Sequence, residues 1–202
     1  MRFLFKSKSY IFILLTQFIY LEQAYSQAFC SLRDPLETIN KLAPKPIEYS
    51  SNVIELDSSA RDFFLNETGL KMHNQELGYH TIYQVSKTDE DEKDIIHVRP
   101  ESTPWGLIEI AWLLSNDGKL KNFTFQRCRS PYCDDLTTNQ FINKLTNLDY
   151  EQLRELLDPS LSFLSSKGKE NLPIPEGSET LAIALIRSAL KASSLIKYIE
   201  FN

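Results

Sequence analysis

The chain has 202 residues, with 22 Lys and Arg against 27 Asp and Glu, a net charge of −5. Removing residues 1–26 leaves 19 basic and 26 acidic residues, or −7, and that balance argues against nucleic acid or an anionic membrane surface as the main partner, since both need a basic face. The 176 residues that follow suffice for one domain with its own core.

Arg2, Lys6 and Lys8 precede a twelve-residue apolar run, Tyr10 to Leu21, and Ala24-Tyr25-Ser26 offers a small-x-small cleavage site. The layout is that of a secretory signal peptide over 1–26, and the apolar run is short for a span, which needs about 20 residues. The alternative is an uncleaved anchor. Export predicts a periplasmic or secreted protein with no stable membrane span after signal cleavage. In an oxidising compartment Cys128 and Cys133 can close a small loop as a disulfide; the alternative is two free thiols. Cys30 is left over. His73, His80 and His97 are scattered and no second ligand pair exists, so no metal site is expected.

In chain order, residues 27–56 form an N-terminal segment. It holds a short helix from Asp34 to Leu42, capped by Asp34 with Pro35 in its first turn, and an extended stretch from Tyr49 to Leu56. The domain proper is assigned to 57–202. Ser59-x-x-Asp62 resembles a capping box, and Gly69 a helix stop. His80 to Ser86 and Ile95 to Arg99 are β-branched runs, with the acidic segment Thr88 to Asp94 as a solvated tip between them. Leu107 to Leu114 and Leu120 to Gln126 flank Ser115-Asn116-Asp117-Gly118-Lys119, a strong hairpin signal. Thr137-x-x-Gln140 and Asp149-x-x-Gln152 each open a helix. Ser160 to Gly177 reads as a loop and Ser178 to Ile199 as a long amphipathic helix with Leu181, Leu185, Ile186, Ala189, Leu190 and Ile196 on one stripe. Strands between helices predict an α+β fold, an antiparallel sheet covered by helices with a long C-terminal helix.

Catalytic signals are sparse. There is no Gly-x-Ser-x-Gly elbow, no Walker-type loop and no Gly-x-Gly-x-x-Gly, so no catalytic residue is assigned and enzymatic activity stays open. Glu109, inside an apolar run, is expected to face solvent, with Arg127 or Arg129 as partners if it is buried. Trp105 and Trp112 are expected in the core; stacking on a planar ring is the alternative.

The stretch Pro104-Trp105-Gly106 through Asn116-Asp117-Gly118-Lys119 to Phe123 resembles the flavin-mononucleotide-binding domain of extracytoplasmic subunits in ion-translocating quinone reductases and related electron-transfer complexes. The likeness extends loosely over Leu56 to Ile199. In that family a Ser-Gly-Ala-Thr motif opens a late helix, and its threonine carries FMN through a phosphoester. Gly177-Ser178-Glu179-Thr180 aligns with it, so the resemblance implies Thr180, Ser178 and Gly177 as cofactor-binding residues and FMN as cofactor, with Thr180 the attachment point. It implies a flavin-dependent electron-transfer component working with a protein partner in the cell envelope. Glu179 stands where the family has alanine and Ala182 where it has a second hydroxyl. The alternative is therefore a non-catalytic, partner-binding protein of the same fold that has lost the flavin site. An exported hydrolase is a third class.

Overall fold

A computed structural model describes residues 30–201 except 47, 87–92 and 147. The proposed signal segment and most of the acidic tip lie outside the described residues. Five strands form one antiparallel sheet in the order β1-β2-β3-β4-β5, namely β1 (Glu48–Leu56), β2 (Gly78–Ser86), β3 (Asp94–Thr103), β4 (Gly106–Leu114) and β5 (Leu120–Arg127). The helices are α1 (Pro35–Leu42), α2 (Ser58–Thr68), α3 (Asn139–Thr146), α4 (Tyr150–Glu155), α5 (Ser166–Asn171) and α6 (Glu179–Phe201). The α+β class holds, with the long helix at the C-terminal end of the chain.

Local chemistry explains most boundaries. Asp34 caps α1 through Glu37, with Pro35 in the first turn. The cap of α2 is Asp57 rather than Ser59: its carboxylate accepts from the backbone N–H groups of Ser59 and Ala60, and it also takes the Ser59 hydroxyl. Gly69 ends that helix at φ 72°. The β4–β5 turn places Gly118 at φ 81°, and its N–H donates to the Ser115 carbonyl. Asp149 and Gln152 form the expected capping box of α4. For α3 the capping side chain is Thr138, one residue beyond Thr137. The stretch from Ser160 to Gly177 is not all loop, since Ser165 caps α5 within it. Asp94 is no part of a solvated tip. It starts β3, is buried, and pairs with Lys121.

Both sheet faces are covered. Ile108, Ile110, Trp112 and Leu114 of β4 point into the main core with α6 and with Phe141, Leu145 and Leu153 of α3 and α4. Ala111 and Leu113, one residue out of phase, join Ile96, Val98, Tyr83 and Val85 beneath Leu32, Ile39 and Leu42. The N-terminal stretch thus forms the lid of the second face. It is fastened by the Leu32 N–H donating to Tyr83 Oη and the Thr81 N–H donating to the Cys30 carbonyl. α6 is buried nearly all round, well beyond its expected stripe, and Trp112 donates its indole N–H to Ser188 Oγ at 2.9 Å.

Candidate functional site

The turn before α6 contains the sequence-assigned residues. Gly177 adopts φ 84°, and a Cβ there would lie 2.7 Å from the Tyr132 hydroxyl, so turn geometry and Tyr132 both demand glycine. Tyr132 in turn meets Trp105 edge-to-face, with ring centroids 5.8 Å apart. Ser178 is buried, and its hydroxyl donates to the Pro175 carbonyl at 2.6 Å. It therefore shapes the turn and does not cap the helix through its side chain. Thr180 is exposed on the first helical turn, beside exposed Glu179. No side-chain hydrogen bond caps this turn among the described residues, which leaves its N–H groups turned outward at the positive end of a 23-residue helix.

Near the same end, the Cys128 and Cys133 sulfurs lie at bonding distance, closing the loop that carries Tyr132. Trp112 is not part of this group. It lies deep in the core, and Glu109 projects from the opposite face of β4. Trp105, Trp112 and Glu109 therefore share no pocket.

Glu109 corrects an expectation. It is fully buried, because the N-terminal stretch covers the face that would otherwise be wet. Arg33 holds it with two hydrogen bonds of 2.7 Å, and Arg127 approaches to 3.5 Å. Arg33 comes from outside the strand pair that contains Glu109, so strand-local reading finds Arg127 and misses Arg33.

The largest ionic assembly escaped sequence reading altogether. Lys191, fully buried midway along α6, donates to Glu76 Oε1 at 2.7 Å and Glu101 Oε2 at 2.8 Å. Arg99 donates to the same Glu76 oxygen at 2.7 Å and lies over the Phe64 ring. Glu76 Oε2 accepts the His73 backbone N–H. Beside them His80 Nδ1 and His97 Nε2 are 2.9 Å apart, and His80 Nε2 lies 3.0 Å from the Glu76 carbonyl. A carbonyl only accepts, so His80 carries its proton on Nε2 and takes the His97 proton at Nδ1. Burial pushes His80 down to about 4, helped by Arg99; it also pushes His97 well below the ordinary histidine value. Burial would raise Glu76, but Arg99 and Lys191 overcome it and hold its carboxyl low. Arg187, part-exposed on α6, approaches the other oxygen of Glu101 to 3.8 Å, so the two carboxylates face three cations, with two neutral imidazoles beside them. Its signal in the sequence is the alternation His97-x-Arg99-x-Glu101, three polar side chains on one strand face, and the single lysine on the apolar stripe of α6.

Burial pushes the free thiol of Cys30 up to about 12, with Glu76 and Glu109 adding and Arg99 opposing, so it is protonated and unreactive at neutral pH. Among the described residues no group of His, Cys, Asp and Glu is arranged to hold a metal ion, and no helix is long and apolar enough to cross a membrane. A cleft of about 440 Å³ opens beside the β4–β5 turn, lined by Ser115, Asp117, Lys119 and Asp149. That turn docks on Ser193, so the cleft lies toward the C-terminal half of α6, away from Thr180.

No family model matches the chain, and a search of curated proteins finds no match.

Proposed function

We propose that the protein is an exported flavin-binding module that carries FMN at the start of α6 and serves as an electron-transfer component in the cell envelope. The observation that supports this reading is the open Thr180 hydroxyl on a first helical turn without a side-chain cap, beside the Gly177 turn on which Tyr132 packs, with Trp105 edge-to-face behind Tyr132. Thr180 is the residue to bear the phosphate, with the adjoining N–H groups and the helix dipole stabilising its charge. Tyr132 and Trp105 offer an aromatic wall for a planar ring. Gly177 and Ser178 serve by fixing the turn, since the Ser178 hydroxyl is already bonded within it. FMN, when bound, supplies one-electron chemistry, and the protein positions it.

Glu179 favours the second reading, a partner-binding protein of the same fold without flavin. Its carboxylate neighbours the phosphate position, where like charges repel by about 1–4 kcal/mol. Expression in a host able to export and flavinylate proteins separates the two. A yellow protein, heavier by one FMN and colourless as Thr180→Val, supports the flavin reading. A colourless protein of unmodified mass that ignores added FMN eliminates it.

A further inference from the structure

The two edges of the sheet are built differently. β5 carries register shifts at both ends of its pairing with β4, and α1 and α3 pack against it. Bulges, edge-strand lysines and covering helices are the usual protections of an edge against pairing with another strand. Among the described residues β1 has no bulge and no lysine, and α2, which contacts it, follows it directly in the chain and packs with its inward Ile54 and Leu56. β1 pairs with β2 through nine consecutive residues without a bulge, from Glu48↔Ser86 to Leu56↔Gly78. Its sequence EYSSNVIEL contains no lysine, arginine or proline. All but Ile54 and Leu56 are exposed, including Tyr49 at 42% and Val53 at 65%.

We infer that β1 is a self-association edge at which a second copy of this chain adds antiparallel, joining the two sheets. The strand itself sets the register. Asp57 begins the cap of α2, so pairing ends at Leu56, and a two-fold axis through Asn52 pairs all nine residues. Residues of like parity then meet on the same face, as a two-fold perpendicular to a sheet requires. Glu48 meets the partner's Leu56, and Glu55 meets the partner's Tyr49, so neither acidic residue opposes another. Val53 lies opposite the partner's Ser51, diagonal to both the partner's Tyr49 and the partner's Val53. The two exposed apolar side chains of each strand therefore close into one four-membered cluster across the axis. The pairing also satisfies the outward N–H and C=O groups that β2 leaves free.

Sedimentation equilibrium on the purified, exported chain tests the edge, and cysteine scanning tests its register. The expected result is a dimer that Val53→Lys converts to monomer with an unchanged far-ultraviolet spectrum, because two lysines would become diagonal neighbours. Asn52→Cys should cross-link efficiently under mild oxidation, since facing Cα atoms in such a pair lie about 4.5–5.5 Å apart, within disulfide reach. Ser50→Cys should not, being displaced from its own copy by roughly 13 Å along the strand. The wild-type chain under the same oxidation is the control for Cys30. A monomer at every concentration overturns the inference. So does a dimer that survives Val53→Lys, or a dimer in which Asn52→Cys fails to cross-link.

Discussion

The start and the middle of α6 use polar side chains in opposite ways. At the start, Thr180 and Glu179 are exposed, and the only buried hydroxyl, that of Ser178, is bonded inside its own turn. One turn short of the helix's last third, Lys191 is fully buried between two carboxylates that come from 90 and 115 residues earlier in the chain. A group at a helix end is replaceable without disturbing packing. A buried ammonium is tied to every group that neutralises it, because removing one partner leaves a charge without water or counter-ion. The first region is where a ligand can be added or lost during divergence; the second is where the fold is held to one arrangement.

Substitutions should divide along that line. The largest effect is expected for Lys191→Met, which leaves Glu76 and Glu101 facing each other with one cation fewer. A loss of about 3–5 kcal/mol is expected in urea unfolding. A Lys191→Met chain as stable as wild type would erase the distinction.

Acidification probes the same region without mutation. His80 and His97 stay neutral in the folded chain but protonate near 6.5 when unfolded, so the unfolded state binds more protons between about 4 and 6.5. Stability is therefore present above that window and falls as pH drops through it, by about 3 kcal/mol for His80 alone. Glu76 adds a further loss at lower pH, because its folded carboxyl is held below the ordinary value and must be protonated. Urea midpoints measured across the range check this; a flat profile from pH 6.5 to 4 contradicts it.

Glu109→Gln sharpens the comparison, because one partner of this buried carboxylate, Arg33, is half exposed and can rehydrate. The expected loss is about 1–2 kcal/mol by chemical denaturation, smaller than for Lys191→Met. Thr180→Val should change stability least, by under about 0.5 kcal/mol in the same assay, since the side chain is exposed and holds nothing in the fold.

What could be read in advance follows the range of the interaction. The β4–β5 hairpin is encoded within five residues, and the α4 box within four, so the sequence shows both directly. The cap of α2 is equally local, yet Asp57 and Ser59 offer competing cap patterns two residues apart; in the structure Asp57 caps the helix and also holds the serine hydroxyl. Glu109 and Lys191 are different in kind. Whether a charged residue in an apolar run is wet or buried depends on what covers that face, and here the covers are Leu32 to Leu42 for one and β3 for the other. Of the candidate site, the turn at Gly177 and the exposure of Thr180 follow from local signals. The contact of Tyr132 with Gly177 joins residues from two separate loops and has no local signature.

The strand order has a consequence for how the molecule assembles. Each strand pairs with its neighbour in sequence, so the sheet is a succession of short-range closures that can form as the chain emerges. α6 is the long-range element, and until it docks, Glu76, Arg99 and Glu101 can keep their hydration. Docking then selects a single turn of the helix: a slip of four residues toward the helix start would present Leu195 to two carboxylates in place of Lys191. The ionic cluster thus works as a positional lock applied late, admitting α6 in one register and penalising its near neighbours.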